Sequence, residues 1–166
     1  MDFSAIITQL KDKRIDVVYL GAWPKQMSMM MRQAYEAGYK PQFIGADVAL
    51  TDDMPKIAGA ASEGMIFTFA PLPEYTPSAA PVLKKLAERN MAGRPFAIYN
   101  YMMIQVYAEA VKKAGTTETA AVMKAMKSNK FATIMGEVSF EADGRMTGLD
   151  FQYYQWKDGK VKPWKM

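Results

Sequence analysis

The 166-residue chain contains no cysteine and no histidine. It therefore has no thiolate nucleophile, no disulfide, no zinc finger and no Ser-His-Asp triad. No apolar run approaches the roughly 20 residues that a membrane-spanning helix needs. The opening residues, Met1 to Ser4, lack the basic and apolar regions of a secretory signal peptide. If the parent protein is exported, we expect its signal to be absent from this sequence.

Concentrated positive charge is also missing. The formal net charge is +4, but the lysines are scattered along the chain. A nucleic-acid-binding protein collects such charge on one surface. The adjacent pairs Lys84-Lys85 and Lys112-Lys113 are typical of solvated helix faces, so we expect no nucleic-acid partner.

Hydrophobic residues make up 50% of the chain and aromatic residues 12%, which is typical of a globular domain rather than a disordered one. The 15 methionines could in principle bind copper through their thioethers. Their helical spacing beside other apolar residues favours core filling instead. Asp52-Asp53, Asp143 and Asp158 occupy helix-start and turn positions without a nucleophile–base set. We therefore expect no enzyme activity, no metal and no cofactor.

The first 70 residues alternate between helical and extended patterns. The nearly continuous apolar run from Ile15 to Leu20 predicts a strand buried on both faces, as in a parallel sheet. Pro24 suits the first turn of the helix that follows, and Gly38 suits its end. Thr51 is a candidate cap for the next helix. The first predicted helix has an apolar stripe of Phe3, Ile6, Ile7 and Leu10, and the second has one of Met27, Met30, Met31 and Ala34. Two further strands are predicted at Gln42–Gly45 and Met65–Phe69.

This α-β-α-β-α-β order predicts an α/β protein with a Rossmann-like parallel sheet. Pro71 and Pro73 interrupt the rhythm and mark the only plausible boundary. Three helices follow, the last with a candidate cap at Thr117. The C-terminal part predicts strands near 137–140 and 149–156, with turns at Asp143-Gly144 and Asp158-Gly159.

Two side chains are singled out by their place after predicted strands. Ligands of open α/β sheets bind beyond the carboxyl ends of the strands. Trp23 follows the strand that ends at Leu20, and Asp47 follows the strand that ends at Gly45. Trp23 could form the wall of a cleft or pack in the core. Asp47 could accept hydrogen bonds from a ligand ammonium or simply form a turn.

An ordered set of short fragments covers essentially the whole chain and resembles the family of leucine/isoleucine/valine-binding proteins. The fragments are Asp2-Phe3-Ser4-Ala5, Ile15-Asp16-Val17-Val18-Tyr19, Arg32-Gln33-Ala34, Ala37-Gly38, Gln42-Phe43-Ile44-Gly45 and Ala61-Ser62-Glu63-Gly64-Met65, then Phe96, Tyr101, Gln105, Phe131, Gly136, Phe140, Asp143-Gly144 and Gly148. Each fragment alone is weak, but their order and spacing are specific.

The resemblance implies a periplasmic, two-lobed clamshell of the type I periplasmic-binding-protein fold, which captures an amino acid for an ABC permease without chemistry. It implies that Trp23 lines the cleft and that Asp47 binds the ligand's α-ammonium. Phe96 corresponds to a position that touches the ligand side chain, and Tyr99 is a weaker candidate nearby. Tryptophan replaces the family's usual tyrosine and aspartate its longer glutamate, so a larger or aromatic solute is possible.

Family members are about twice as long, so this chain corresponds to their C-terminal half. By the resemblance, residues 1–70 belong to the second lobe, 71–148 return to the first lobe and 149–166 return to the second. The absent half would supply the groups that hold the ligand carboxylate. Two alternatives to a transporter component remain open: the ligand-binding sensor domain of a receptor, and a structural or engineered half-domain without binding activity.

A half-length chain is expected to leave apolar surface uncovered. By the resemblance, the helix faces that include Tyr99, Met102, Met103 and Val106 pack on strands that this chain lacks. Large exposed apolar patches usually find a partner. Three outcomes are open: the helices fold back onto the chain's own sheet as one compact domain, the missing N-terminal half binds, or two copies form a dimer. We expect a symmetric homodimer, with the segment from Pro71 to Pro73 as the hinge of a domain swap.

Overall fold

The computed structural model describes residues 1–91 and 94–165 and divides the chain into two compact units. The first unit comprises Met1–Phe69 and Phe151–Met166, and the second comprises Ala70–Asp150. The chain therefore passes from one unit to the other twice. No helix among the described residues is both long and apolar enough to cross a bilayer.

Six α-helices and eight strands are present in the described part of the chain. The helices are α1 (Ser4–Asp12), α2 (Pro24–Glu36), α3 (Asp53–Ala58), α4 (Ala80–Glu88), α5 (Pro95–Ala114) and α6 (Thr119–Ser128). The strands are β1 (Val17–Leu20), β2 (Gln42–Gly45), β3 (Ile66–Phe69), β4 (Phe131–Thr133), β5 (Gly136–Phe140), β6 (Met146–Thr147), β7 (Gln152–Lys157) and β8 (Lys160–Pro163).

The first unit is built on a five-stranded sheet in the order β1-β2-β3-β7-β8. The first three strands are parallel, which confirms the α/β prediction, whereas β7 and β8 are added antiparallel. The turn between β7 and β8 is the predicted Asp158-Gly159. Both residues have positive φ, 54° and 67°, which is the conformation that a two-residue hairpin turn requires.

Only one face of this sheet is buried. Val18 and Leu20 of β1 point into the core, but Val17 is 54% exposed and Tyr19 is 65% exposed. The same alternation continues on β7, where Tyr154 is buried and Tyr153 is half exposed. The prediction of a strand buried on both faces is therefore wrong for this chain, because its described residues cover only one face of β1.

Methionine fills the core of the first unit. Met27, Met31, Met54 and Met65 are at most 1% exposed, which agrees with their interpretation as core residues. The unbranched thioether side chain adapts to irregular gaps of this kind. A Cβ atom added to Gly45 would lie 2.7 Å from the terminal methyl groups of both Met27 and Met65. The glycine therefore allows α2 to pack closely on β2.

Two predicted helix caps are each corrected by one residue. The cap of α3 is Asp52, and the Thr51 hydroxyl instead accepts a 3.3 Å hydrogen bond from the Asp53 amide. The cap of α6 is Glu118, not Thr117, because the Glu118 carboxylate accepts the Ala121 amide at 3.0 Å. The Glu118 carboxylate accepts a first-turn amide as a serine or threonine hydroxyl would. The preference for serine and threonine at helix caps therefore pointed to Thr117 instead of Glu118.

The second unit has its own core between α5, α6 and the antiparallel sheet β4-β5-β6. Met102 and Val106 on α5 are almost fully buried there, and Tyr99 packs against the same cluster. The expectation that their faces await absent strands is therefore wrong for these three side chains, since residues of the same unit cover them. Met103 is 38% exposed and lies outside this core.

A different side of α5 is uncovered. Four large apolar side chains on this side are roughly half or more exposed: Phe96, Tyr101, Ile104 and Tyr107. A helix that is apolar on both sides is normally enclosed by protein. By contrast, Leu72 and Pro73 of the proposed hinge segment are buried in the second unit.

Two glycines of the second unit allow a matched test of this packing. Gly144 and Gly148 both have positive φ, 89° and 98°. A Cβ atom would meet nothing within 4 Å at Gly144, whereas at Gly148 it would collide with the backbone carbonyl of Glu137. We expect Gly148→Ala to cost at least about 2 kcal/mol more unfolding free energy than Gly144→Ala, because backbone cannot move aside as a side chain can. Chemical denaturation measures both, and equal losses would contradict the close approach of the backbone.

Candidate functional site

The carboxyl ends of β1 and β2 lie side by side, since Leu20 is in register with Gly45. The loops that follow these strands carry Trp23 and Asp47, so the parallel pairing brings the two predicted residues to the same edge of the sheet. Trp23 directly precedes α2, and its carbonyl accepts the Met27 amide at 3.0 Å. Its indole is 74% exposed, which excludes the core position that the sequence left open.

Asp47 opens a short 3-10 turn, Asp47–Ala49, after β2. Its Oδ1 accepts the Val48 amide at 2.9 Å, so the carboxylate does form a turn. Its Oδ2 has no hydrogen-bond partner among the described residues. The turn and the ligand interpretations are therefore compatible, because one oxygen fixes the side chain while the other remains able to accept a hydrogen bond.

Phe96 and Tyr99 lie one turn apart at the beginning of α5, in the second unit. Phe96 is 51% exposed. The Tyr99 hydroxyl donates a 2.7 Å hydrogen bond to the carbonyl of Pro71. This bond connects α5 to the segment through which the chain enters the second unit, so Tyr99 has a structural role. The four predicted residues thus form two pairs, one in each unit.

Two further residues at the edge that carries Trp23 and Asp47 were not identified from the sequence. Phe151 is 67% exposed and directly precedes β7, whose Gln152 pairs with Phe69 at the carboxyl end of β3. Phe151 lies at this edge because β7 pairs antiparallel with β3, and such a long-range pairing gives no periodic pattern in the sequence. Gln26, in the first turn of α2, has a buried Oε1 for which the described residues supply no hydrogen-bond partner. A lone helical glutamine is normally solvated, so only the structure distinguishes it.

The site residues identified at this edge are mainly aromatic and acidic. Acidic and aromatic side chains are present without a histidine, a cysteine or a nucleophile–base pair. Within the described residues there is no cluster of three or more acidic side chains suited to a metal ion. A carboxylate with one oxygen able to accept a hydrogen bond and an exposed indole at the same edge of a sheet can hold an ammonium group and the apolar body attached to it.

Comparison with known proteins identifies the family. A family model described as periplasmic binding protein matches residues 1–160. This chain belongs to the periplasmic binding protein family. Among its curated relatives is Leu/Ile/Val-binding protein homolog 1 of Brucella suis, which is 34% identical over 159 residues. Another is the leucine-, isoleucine-, valine-, threonine- and alanine-binding protein of Pseudomonas aeruginosa, which is 31% identical over 156 residues.

The chain spans less than half the length of these relatives. The alignments cover 95% and 93% of the chain but only 43% and 42% of the two relatives. The sequence-based identification of a leucine/isoleucine/valine-binding-protein fragment is thereby confirmed.

Solved structures agree on the fold. The leucine-binding protein LivK of Thermotoga maritima matches with a TM-score of 0.87 at 20% identity, over 99% of this chain and 48% of that protein. The substrate-binding protein LivJ of Streptococcus pneumoniae, solved with isoleucine, matches with a TM-score of 0.80 at 23% identity, over 97% of this chain and 47% of that protein. The α/β periplasmic-binding-protein fold is therefore confirmed.

The exposure of Trp23 can be tested against a buried tryptophan of the same unit. Trp156 is only 5% exposed, and its Nε1 donates a 3.0 Å hydrogen bond to the Ala49 carbonyl. We expect Trp156→Ala to lower the free energy of unfolding by about 3–5 kcal/mol. Trp23→Ala should change it by less than about 0.5 kcal/mol, as is usual for surface positions. Urea denaturation of both variants checks this, and a large loss for Trp23→Ala would place the indole in a core.

Proposed function

We propose that this chain is part of the solute-binding component of an ABC importer and that the whole protein binds a branched-chain or related amino acid in an inter-lobe cleft. Membership of the periplasmic binding protein family supports a binding role. The names of the relatives, which specify leucine, isoleucine and valine, support an amino acid as the solute. Under this proposal the protein acts in the periplasm, performs no chemistry on its ligand and hands it to a permease.

The observation that carries the proposal is the pairing of Trp23 and Asp47 at one edge of the parallel sheet. The unpartnered Oδ2 of Asp47 would accept a charge-assisted hydrogen bond from the ligand's α-ammonium. The exposed indole of Trp23 would cover the apolar side chain, since an aromatic ring buries much area at little cost in conformational entropy. Rigid elements anchor both side chains, since Trp23 directly precedes α2 and Asp47 follows the end of β2 by two residues.

The size of the two side chains bears on the ligand. Aspartate is one methylene shorter than glutamate, and tryptophan is larger than tyrosine. Both side chains act from fixed positions, so the ammonium would lie nearer to the sheet edge and the apolar wall would be broader than in a site built from glutamate and tyrosine. We therefore include larger aliphatic and aromatic amino acids among the candidate solutes.

The remaining contacts would come from outside the first unit. Under this proposal Phe96 touches the ligand side chain, and Tyr99 supports it through the hydrogen bond to Pro71. The groups that hold the ligand carboxylate would belong to the part of the whole protein that this chain does not include. Closure of the two lobes about their hinge would be the state that a permease recognises.

The uncovered apolar surfaces support a partner for this chain. On α5, Tyr101, Ile104 and Tyr107 are exposed, and on the sheet of the first unit Val17 and Tyr19 are exposed. Leaving such area in water forfeits on the order of 25 cal/mol per Å². We propose that the N-terminal half of the whole protein covers these surfaces and that, without it, a second copy of the chain does so as a homodimer.

The role of Asp47 can be tested in the whole protein. We expect Asp47→Asn to weaken amino-acid binding by about 1.5–3 kcal/mol, because the charged acceptor is lost while the side-chain shape is kept. Isothermal titration with leucine, isoleucine, valine and phenylalanine measures the change. Asp53→Asn, on the exposed first turn of α3, removes the same charge from the same unit and should leave the affinity unchanged. If Asp47→Asn binds as tightly as the parent, Asp47 is a turn residue only.

The partner can be tested on the 166-residue chain alone. We expect light scattering at micromolar concentration to give about twice the monomer mass of 18.6 kDa, because the exposed side of α5 needs a cover. Ile104→Lys should shift the chain towards the monomer with little loss of helix content, since the side chain is 66% exposed.

Met123→Lys provides the control on α6, where an apolar side chain of similar exposure, 51%, is replaced by the same charge. A monomer of the unmodified chain that binds an amino acid with the full affinity of the whole protein would contradict the proposed partner and the incomplete site together.

A further inference from the structure

The open face of the first-unit sheet, which is the side opposite the core, can be mapped from the strand register. Residues paired in register point to the same side of a sheet, and successive residues of a strand point to opposite sides. One row crosses all five strands and consists of Tyr19, Ile44, Ile66, Gln155 and Lys162. Their neighbours along the strands, among them Phe43, Phe67 and Tyr154, are buried on the other side.

The open face is apolar at one end and cationic at the other. Tyr19 on β1 is more than half exposed, and Ile44 and Ile66 continue the apolar surface across β2 and β3. At the other end, Lys157 of β7 is in register with Lys160 of β8, and both are exposed. Lysines on an edge strand keep it in water and discourage further pairing. The β8 end is therefore suited to solvent, whereas the β1 end is not.

The free edge of β1 lacks this protection. Among the described residues β1 is the outermost strand on its side of the sheet, and Val17–Leu20 include no charge and no proline. The Gln42 amide donates a 2.8 Å hydrogen bond to the Asp16 carbonyl. The alternation of a parallel ladder then directs the amides of Val17 and Tyr19 away from β2. Unpaired backbone groups beside exposed apolar side chains form an edge to which another strand can add.

The position of α1 indicates where that strand comes from. The helices α1 and α2 pack side by side, since the Phe3 amide donates to Oε1 of Gln33 at 2.8 Å and the Lys11 ammonium donates to the Ala37 carbonyl at 3.0 Å. They therefore lie on the same face of the sheet, and α1 leads into β1 as α2 leads into β2. A connection from a strand through a helix to a parallel strand is right-handed in about 98% of cases. A strand upstream of α1 would therefore lie beside β1, on the side away from β2.

We propose that, in the whole protein, the segment immediately upstream of α1 forms a sixth strand that pairs in parallel with the free edge of β1. A helix from the same upstream region covers the apolar part of the open face, because the faces of parallel sheets are normally enclosed by helices. This cover extends over Val17, Tyr19, Ile44 and Ile66 and ends before the paired lysines of β7 and β8. The proposal rests on the proposed function in requiring a longer protein, and relatives of which the chain spans 43% are long enough to supply the segment.

Amide hydrogen exchange in the whole protein tests the strand without any substitution. The amides of Val17 and Tyr19 should exchange at least about 100-fold more slowly than that of Val161, because a paired amide exchanges only when the structure opens. Val161 is the matched control at the other edge of the sheet. The Trp164 amide donates to the Tyr153 carbonyl at 2.9 Å, so antiparallel alternation directs the Val161 amide away from β7. Exchange of Val17 and Tyr19 as fast as that of Val161 would overturn the proposal.

The partner strand can be identified in the same sample. Nuclear Overhauser contacts from the amides of Val17 and Tyr19 should lead to backbone protons of the segment that immediately precedes α1 in the whole protein. Contacts to any other segment would show that the assignment is wrong.

Thiol labelling tests how far the cover extends, since the 166 residues contain no cysteine. In the whole protein, iodoacetamide should modify Tyr19→Cys at least about tenfold more slowly than Lys160→Cys, each relative to the same variant unfolded in urea, because a covered thiol reacts only after local opening. Peptide mass spectrometry locates the modified residue. Equal rates, or a Lys160→Cys as protected as Tyr19→Cys, would contradict the predicted limits of the cover. Amino-acid binding by the unmodified whole protein is measured separately, so a failure here is distinguishable from a failure of the proposed function.

Discussion

The close packing of α2 on β2 at Gly45 determines where the candidate site forms. Because Gly45 has no side chain, the methyl groups of Met27 and Met65 both approach the end of β2 on the face to which a Gly45 side chain would point. Met27 is bonded through its amide to the carbonyl of Trp23, and Asp47 follows Gly45 by two residues. The same contact therefore fixes the start of α2, which positions the indole, and the end of β2, which positions the carboxylate.

This constraint also anchors the two loops of the site to rigid elements. The register of β1 with β2 aligns Leu20 with Gly45, so the two strands end at the same level. The Trp23 side chain is exposed, whereas Met27 and Ser28, about one turn further along the chain in α2, are buried. The exposed binding group is therefore supported by a packed helix. The uncovered side of α5 and the open face of the sheet differ from this site, because they expose apolar side chains that no other part of the described chain encloses.

Much of this arrangement could be predicted from the sequence, and the exceptions have physical causes. The alternation of strands and helices, Pro24 at a helix start and Asp158-Gly159 in a hairpin depend on local backbone preferences, which neighbouring residues determine. The burial of β1 on one face could not be predicted, because an apolar run shows which residues prefer burial but not whether a cover is present. Phe151 was missed for a related reason: its return to the sheet edge is a long-range antiparallel pairing with no local signal.

We propose that Asp47 receives the ammonium of an amino acid at the carboxyl edge of the sheet. A crystal structure of the whole protein grown with its amino acid would show whether it does. We expect a distance of about 2.8 Å between the ligand nitrogen and Oδ2 of Asp47, as in charge-assisted hydrogen bonds, with the ligand side chain against Trp23. An amino acid held elsewhere, with Asp47 bonded only to the Val48 amide, would contradict it.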